Sequence, residues 1–348
     1  MDNLTHTLVG ASIASLFMGR PEGGFSRTRR FGTGALLVGA VVANLPDLDI
    51  LIPRDNIIDA MTYHRGFSHS LIVETAAAPF IAYFAARFVR GAKENRGRFF
   101  VMVWLCLITH ALLDSLTTYG TQLFWPLDTG PPVALASIFI IDPLFTLILL
   151  IGVLMLFFKR KAPDRGFRAH RAFFAVAMAY LAVGIAGHFS VRARAAANPA
   201  FRHAKLFVQP APLTILYWQV LGLEDGDYET GVASLLPTCP VSDIGHYRRA
   251  EDPPYGAEIS PSVRRLEWFT DGFYSFTAQD GRLAVTDLRI GVPPAFGFSF
   301  DIAEKRNGTY RRVSPVRAIA GLPRANSFGA VYKAGWRNLS GCLGMGAP

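Results

Sequence analysis

The chain has 348 residues, of which 51% are hydrophobic and only 18% charged, with a mean hydropathy of +0.28. That balance excludes an ordinary soluble enzyme of this length and makes the bilayer the expected solvent and partner. A net charge of +9 would suit a nucleic-acid binder, but the basic residues follow alternate loops instead of forming one patch, so no nucleic-acid partner is expected.

In chain order, apolar runs extend over Leu4 to Met18, Phe31 to Ile52, Leu71 to Val89, Phe99 to Leu113, Ala134 to Phe158 and Ala172 to Phe189. A crossing helix needs roughly 20 apolar residues, so the shorter runs must recruit their polar ends to span. The start, Met1 to His6, carries no basic region and no small-residue cleavage pattern, so the first segment is expected to remain in the mature protein. Basic residues cluster after the first run (Arg20, Arg27, Arg29, Arg30), between the third and fourth (Arg87, Arg90, Lys93, Arg96, Arg98) and after the fifth (Lys159, Arg160, Lys161, Arg165, Arg168, Arg171). The intervening loops hold only Arg54 and Arg65, and then no Lys or Arg from Tyr119 to Ala134. Positive loops stay in the cytoplasm. The pattern therefore predicts a mainly α, multi-pass bundle of about six helices in the inner (plasma) membrane. Its N-terminus and everything after Phe189 would lie on the extracytoplasmic side.

From about Val191 the composition shifts, and a second domain is expected over residues 200–348, following a helical domain over residues 1–190. Asp280-Gly281 between two alternating stretches is a type I′ hairpin signal, and Ala295 to Phe300 alternates as well, so the second domain is read as small and β-rich. Residues 341–348 are expected to fray. Cys106, Cys239 and Cys342 show no metal-type spacing; Cys106 is a packing residue, and the other two can pair if their region lies outside the cytoplasm.

Ionisable groups at the ends of membrane helices are functional candidates by default. Here they share one end: His6; Asp47 and Asp49; His64 and His69; His110 and Asp114; and Asp142. His110 and Asp114 are four apart, which puts both side chains on one helical face, able to reach one cation together. In His64-Arg65-Gly66-Phe67-Ser68-His69-Ser70, Gly66 permits a tight turn and Ser68 is placed to cap a helix starting near His69. Asp47 is favoured as a ligand, whereas Asp49 as readily just ends its helix in water. His6 has the alternative of an interfacial histidine, and Asp142 that of an N-cap ahead of Pro143. Glu74, one turn past His69, is read as supporting a ligand from behind or as a partner for Arg65. His170, His188, His203 and His246 stay outside the pattern.

Taken together, Asp2-x-x-Thr5-His6, Leu45-Pro46-Asp47-Leu48-Asp49, His64 to Ser70, His110-x-x-x-Asp114 continuing to Tyr119-Gly120-Thr121-Gln122 and Trp125-Pro126, and Asp142-Pro143 resemble the YdjM/YfhP-like family of membrane-bound predicted metal-dependent hydrolases. The resemblance covers residues 1 to about 160. It implies a helical metal site and, more distantly, a likeness to zinc-dependent phospholipase C, although the later His-rich ligand blocks of that trinuclear enzyme are absent.

Mixed imidazole and carboxylate ligands suit Zn²⁺ and tolerate Mn²⁺ or Fe²⁺. The metal ligands expected are His6, Asp47, His64, His69, His110, Asp114 and Asp142, with Asp47, Asp49 or Asp114 as catalytic carboxylates. The expected reaction is hydrolysis of an ester or phosphoester, with a lipid as candidate substrate. A non-catalytic membrane scaffold with a structural metal is the rival. A transporter would want its polar residues near mid-membrane.

Overall fold

The computed structural model describes residues 1–18, 31–89, 91–158, 163–293, 295–319 and 325–345. Arg20, Arg27, Arg29, Arg30, Arg90, Lys159, Arg160 and Lys161, on which much of the charge pattern rests, lie outside the described residues, as do residues 346–348.

The N-terminal half is helical: α1 (Asn3–Met18), α2 (Phe31–Val42), α3 (Ile57–Tyr63), α4 (Leu71–Ala85), α5 (Arg96–Ser115), α6 (Pro143–Phe158) and α7 (Pro163–Ala197). Helix α1 is central, packing on α2, α5 and α6 through a shared core that includes Val9, Ile13, Met102, Cys106 and Leu149. The crossing of α1 and α2 is made by glycine: a Cβ on Gly39 would lie 2.4 Å from the Gly10 carbonyl oxygen. Small residues at a helix crossing let two backbones touch, the usual contact between helices in lipid.

Several expected spans differ. The second run breaks at Val42, because Asn44 turns its amide back onto the Ala40 carbonyl (2.7 Å) and Pro46 starts a separate 3₁₀ segment, Pro46–Leu51. Residues Ala134 to Asp142 are not helical; Leu135 and Ser137 donate to the carbonyls of Ser115 and Leu116, and the segment packs as an irregular strap under α5. Helix α7 is longer than the run that predicted it, with arginines at both ends. Among the described residues, Arg96–Ser115 and Asp164–Ala197 are long and apolar enough to cross a membrane, while Leu71–Ala85 and Pro143–Phe158 are shorter apolar helices.

The C-terminal half is β-rich. Strands β1 (Lys205–Pro210), β2 (Tyr217–Glu224), β3 (Asp227–Ser234) and β4 (Ser242–Arg248) form one antiparallel meander. A second follows from β5 (Tyr274–Gln279), β6 (Arg282–Val292), β7 (Ala295–Arg306) and β8 (Thr309–Ala318). The hairpin expected at Asp280-Gly281 is present, with both residues at positive φ (49° and 74°) and Gln279 paired with Arg282. Helix α8 (Pro261–Phe269) precedes the second sheet, and α9 (Ala325–Cys342), unforeseen, lies on β3. It is held there by the Cys239–Cys342 disulfide and by Asn338, which donates to the Pro240 carbonyl (2.7 Å). The tail therefore does not fray from Gly341 as expected: Cys342 is tied down.

Both sheets are anchored at one end of the helices. Arg194 on α7 donates to the carbonyls of Ser234 and Cys239. The Thr118 hydroxyl donates to Gln209 on β1, whose amide reaches the Arg289 carbonyl on β6. Helix α8 packs on α3, and Phe269 meets Tyr119 edge-on. That end is where α5 presents Asp114.

Candidate metal centre

Asp2 opens the site by capping α1: its carboxylate accepts from the Thr5 amide (3.0 Å) and hydroxyl (2.7 Å). This fixes His6 in the first turn, its ring stacked on that of His110 at 3.7 Å between centroids. On α5 the i,i+4 pair points inward as its spacing demands, with His110 and Asp114 both buried. The 3₁₀ segment after Pro46 brings in Asp47, and the loop between α3 and α4 brings in His69.

Four donor atoms meet. Asp47 Oδ1 lies 3.4 Å from both His69 Nε2 and His110 Nε2; Asp114 Oδ2 lies 3.3 and 3.5 Å from the same two nitrogens. One ligand atom from each of the four residues lies within 4.8 Å of all the others. The two ring nitrogens themselves are 3.0 Å apart.

Their other nitrogens decide what they carry. His110 Nδ1 sits 2.6 Å from the Ala43 carbonyl, which can only accept, so Nδ1 holds the proton. His69 Nδ1 donates to Ser68 Oγ (2.9 Å), whose hydroxyl in turn donates to Asp49 Oδ2 (2.7 Å). Both Nε2 atoms thus face the centre as lone pairs, beside two carboxylate oxygens. The Arg65 guanidinium meets one of these oxygens, Asp114 Oδ2, at 2.9 Å, and a cation or a proton captured between the rings would relieve the repulsion that remains between the two nitrogens. The proton is disfavoured, because burial lowers the pKa of His69 from its ordinary 6.5 to about 3. Two neutral imidazoles and two carboxylates make a donor set that fits a divalent transition metal.

The remaining expected residues divide into neighbours and outsiders. His6 stands at the edge, its Nε2 3.1 Å from the other Asp114 oxygen and its buried Nδ1 without a hydrogen-bond partner. Met1 ion-pairs the same oxygen through its ammonium group. His64 does not reach the four donors: its Nδ1 bonds Asp49 Oδ1 at 2.8 Å, and its side chain is 21% exposed at the rim. Asp49 also accepts from the Arg65 amide (3.1 Å); burial works to raise its carboxyl, but the hydrogen bonds from His64 and Ser68 outweigh it and hold it below the usual range. Asp142 lies outside the cluster. Its oxygens cap α6 through the Phe145 amide (3.0 Å) and accept from the Tyr180 hydroxyl (2.8 Å), which uses both of them.

Other assignments change too. Ser70, not Ser68, caps α4, accepting from the amides of Ile72 and Val73. Arg65, not Gly66, takes the left-handed turn at φ 62°. Glu74 is buried with neither oxygen hydrogen-bonded, and Arg65 pairs instead with Asp114 Oδ2 at 2.9 Å. Arg65 is the site residue that sequence reasoning missed: nearly fully buried, it also donates to Thr117 and lies over the Tyr119 ring. The available signal was its place between two candidate ligands.

The model for the YdjM inner membrane protein family matches residues 1–191. The chain belongs to this family. The chain is also 33% identical to the inner membrane protein YbcI of Escherichia coli (strain K12) over 91 residues, 26% of this chain and 51% of that protein. It therefore spans about half the length of the curated relative that it matches. No solved structure matches. Family membership places the chain with inner membrane proteins, and the Asp47, His69, His110 and Asp114 cluster gives this member a possible metal site.

Proposed function

We propose that the chain is a multi-pass inner membrane hydrolase that uses a divalent metal, Zn²⁺ foremost, to cleave an ester or phosphoester at the extracytoplasmic face. The observation that carries this reading is the convergence of one ligand atom each from Asp47, His69, His110 and Asp114 within 4.8 Å of one another, with both imidazoles tied through Nδ1 to acceptors behind them. A bound ion there supplies Lewis acidity and lowers the pKa of its water toward neutrality. Asp47, His69, His110 and Asp114 would hold the ion. Asp49 orients His69 through Ser68 and holds His64 directly, which leaves the rim imidazole to take up and return a proton. Arg65, paired with Asp114, provides positive charge where negative charge develops on the substrate.

The helical residues 1–190 form the membrane domain in this reading, and residues 200–348 a domain that covers the site. The Cys239–Cys342 disulfide supports an oxidising, extracytoplasmic location for the second. A structural metal is the second reading, favoured by the full burial of the His69, His110 and Asp114 side chains, since closed four-ligand sites are characteristically structural. Assay of ester and phosphoester substrates with metal-loaded wild type and His110→Ala separates them. Turnover that is lost in the variant supports the hydrolase; stoichiometric metal without turnover on any substrate supports the scaffold.

A further inference from the structure

Beside the metal centre lies a second feature that the proposed chemistry does not use. A cavity of about 510 Å³ opens between the loop carrying the His64 to His69 segment, the loop over residues 121–133, and α8 of the C-terminal half. Gly66 and Phe67 form part of its wall, so a single loop lines the cavity and positions His69.

Two arginines line this cavity, Arg54 and Arg265, and neither forms an ion pair among the described residues. Arg265 is held rigidly: its guanidinium lies 3.6 Å from the Tyr63 ring centroid and 5.1 Å from that of Trp268, and one nitrogen donates to the Thr62 carbonyl (3.1 Å). Its Nε is buried without a hydrogen-bond partner. Arg54 lies on the same Tyr63 ring at 4.8 Å. A single acidic residue, Asp128, lines the cavity, and its carboxylate accepts from the Gly130 amide within its own turn. Two guanidiniums fixed by aromatic faces, with most of their N–H groups unused, present a forked donor set suited to phosphate.

The mouth of the cavity is apolar. Phe67, Phe124, Trp125 and Leu127 are all exposed, and the adjacent Ile50 and Leu51 are about three-quarters exposed. In water such a patch would be a liability, whereas at the bilayer surface it lies among acyl chains, with tryptophan at headgroup level.

We infer that this cavity binds the anionic, phosphate-bearing headgroup of a membrane lipid, with Arg54 and Arg265 on the phosphate and the apolar mouth on the acyl chains. As the recognition site for the substrate of the neighbouring centre, this rests on the hydrolase reading; as a binding site, it does not.

The test therefore uses full-length protein in detergent, stripped of metal with chelator, so that binding is read without turnover. Dihexanoyl phosphatidylglycerol, dihexanoyl phosphatidylcholine and inorganic phosphate are each titrated calorimetrically against wild type, Arg54→Gln/Arg265→Gln and Arg54→Lys/Arg265→Lys. The expected result is preference for the anionic lipid, a loss of about tenfold or more in the glutamine variant, and partial retention in the lysine variant, whose folding thermal melts confirm. Equal binding of both lipids, unchanged affinity in the glutamine variant, or tight binding of inorganic phosphate alone would overturn the assignment. Metal-dependent turnover on non-lipid esters, measured separately, decides the hydrolase reading whichever way binding falls.

Discussion

Substituting Asp49 by Asn probes the support of the metal centre without touching a ligand. Asp49 accepts from His64 Nδ1 (2.8 Å), the Arg65 amide (3.1 Å) and Ser68 Oγ (2.7 Å), and through Ser68 it holds the Nδ1 proton of His69. An asparagine keeps one acceptor oxygen but turns its NH₂ toward either the Ser68 hydroxyl and Arg65 amide or the His64 ring. In either orientation a charge-assisted hydrogen bond contributing about 1.5–3 kcal/mol is lost. Loss of an outer partner of a ligating histidine typically weakens metal binding by about 10–100-fold, or roughly 1.4–2.7 kcal/mol. Asp49→Asn is therefore expected to weaken Zn²⁺ binding by 10–100-fold without abolishing it, whereas His110→Ala abolishes it. Competition with a chromophoric chelator on detergent-purified protein measures both. Unchanged affinity would refute the Asp49–Ser68–His69 relay, and a loss as complete as that of His110→Ala would place Asp49 among the ligands.

Asp142→Asn is expected to leave metal content intact, and metal analysis would expose a ligand if it did not. Burial raises the folded Asp142 carboxyl above its ordinary 3.8 despite its bonds from Phe145 and Tyr180. Its protonated form is thus favoured by folding, a contribution fully present below about pH 3.8 and lost as pH rises through the folded value. The asparagine, permanently neutral, removes this pH dependence but turns an NH₂ to Tyr180 where the carboxylate accepted, so its melting temperature should vary less with pH than that of wild type between about pH 4 and 7. Gly39→Val drives a Cβ to 2.4 Å from the Gly10 carbonyl and 2.6 Å from Ala14 Cβ, so the melting temperature should fall by the equivalent of about 1–3 kcal/mol. Because α2 leads into Ala43, metal affinity should fall with it. The Cys239–Cys342 bond spans 103 residues, so Cys342→Ser should destabilise the C-terminal half by up to about 4–5 kcal/mol, read by denaturant unfolding. In intact spheroplasts, an impermeant maleimide should label these two cysteines only after reduction and leave Cys106 unlabelled; labelling only after lysis would reverse the topology.

What was legible in the sequence followed regular geometry. The four-residue spacing of His110 and Asp114 needed only helical periodicity, and the Asp280-Gly281 turn needed only two residues that tolerate positive φ. Asp142 before Pro143 already offered the cap that the structure shows. Long-range packing was hidden. Nothing local shows that His64 turns to Asp49 while His69 turns to Asp47, because both depend on where the 3₁₀ segment after Pro46 meets the loop. Arg65 reads from the sequence as a loop residue and a partner for Glu74, whereas its buried guanidinium pairs with Asp114. Ala134 to Asp142 has a helix-compatible apolar pattern, but its backbone bonds go to the end of α5. Helix α9 was obscured by Gly329, Gly335 and Gly341; Gly335 exists because a Cβ there would lie 2.5 Å from the Tyr217 ring.

The central claim is that Asp47, His69, His110 and Asp114 hold a metal ion. Elemental analysis of the purified full-length protein, after exposure to Zn²⁺, Mn²⁺ and Fe²⁺ and removal of loosely bound ions, tests it most directly. The account predicts one tightly bound ion per chain, reduced to background in His69→Ala and in His110→Ala while the Cys239–Cys342 disulfide and helical content persist. Wild-type protein that retains none of the three ions would contradict it.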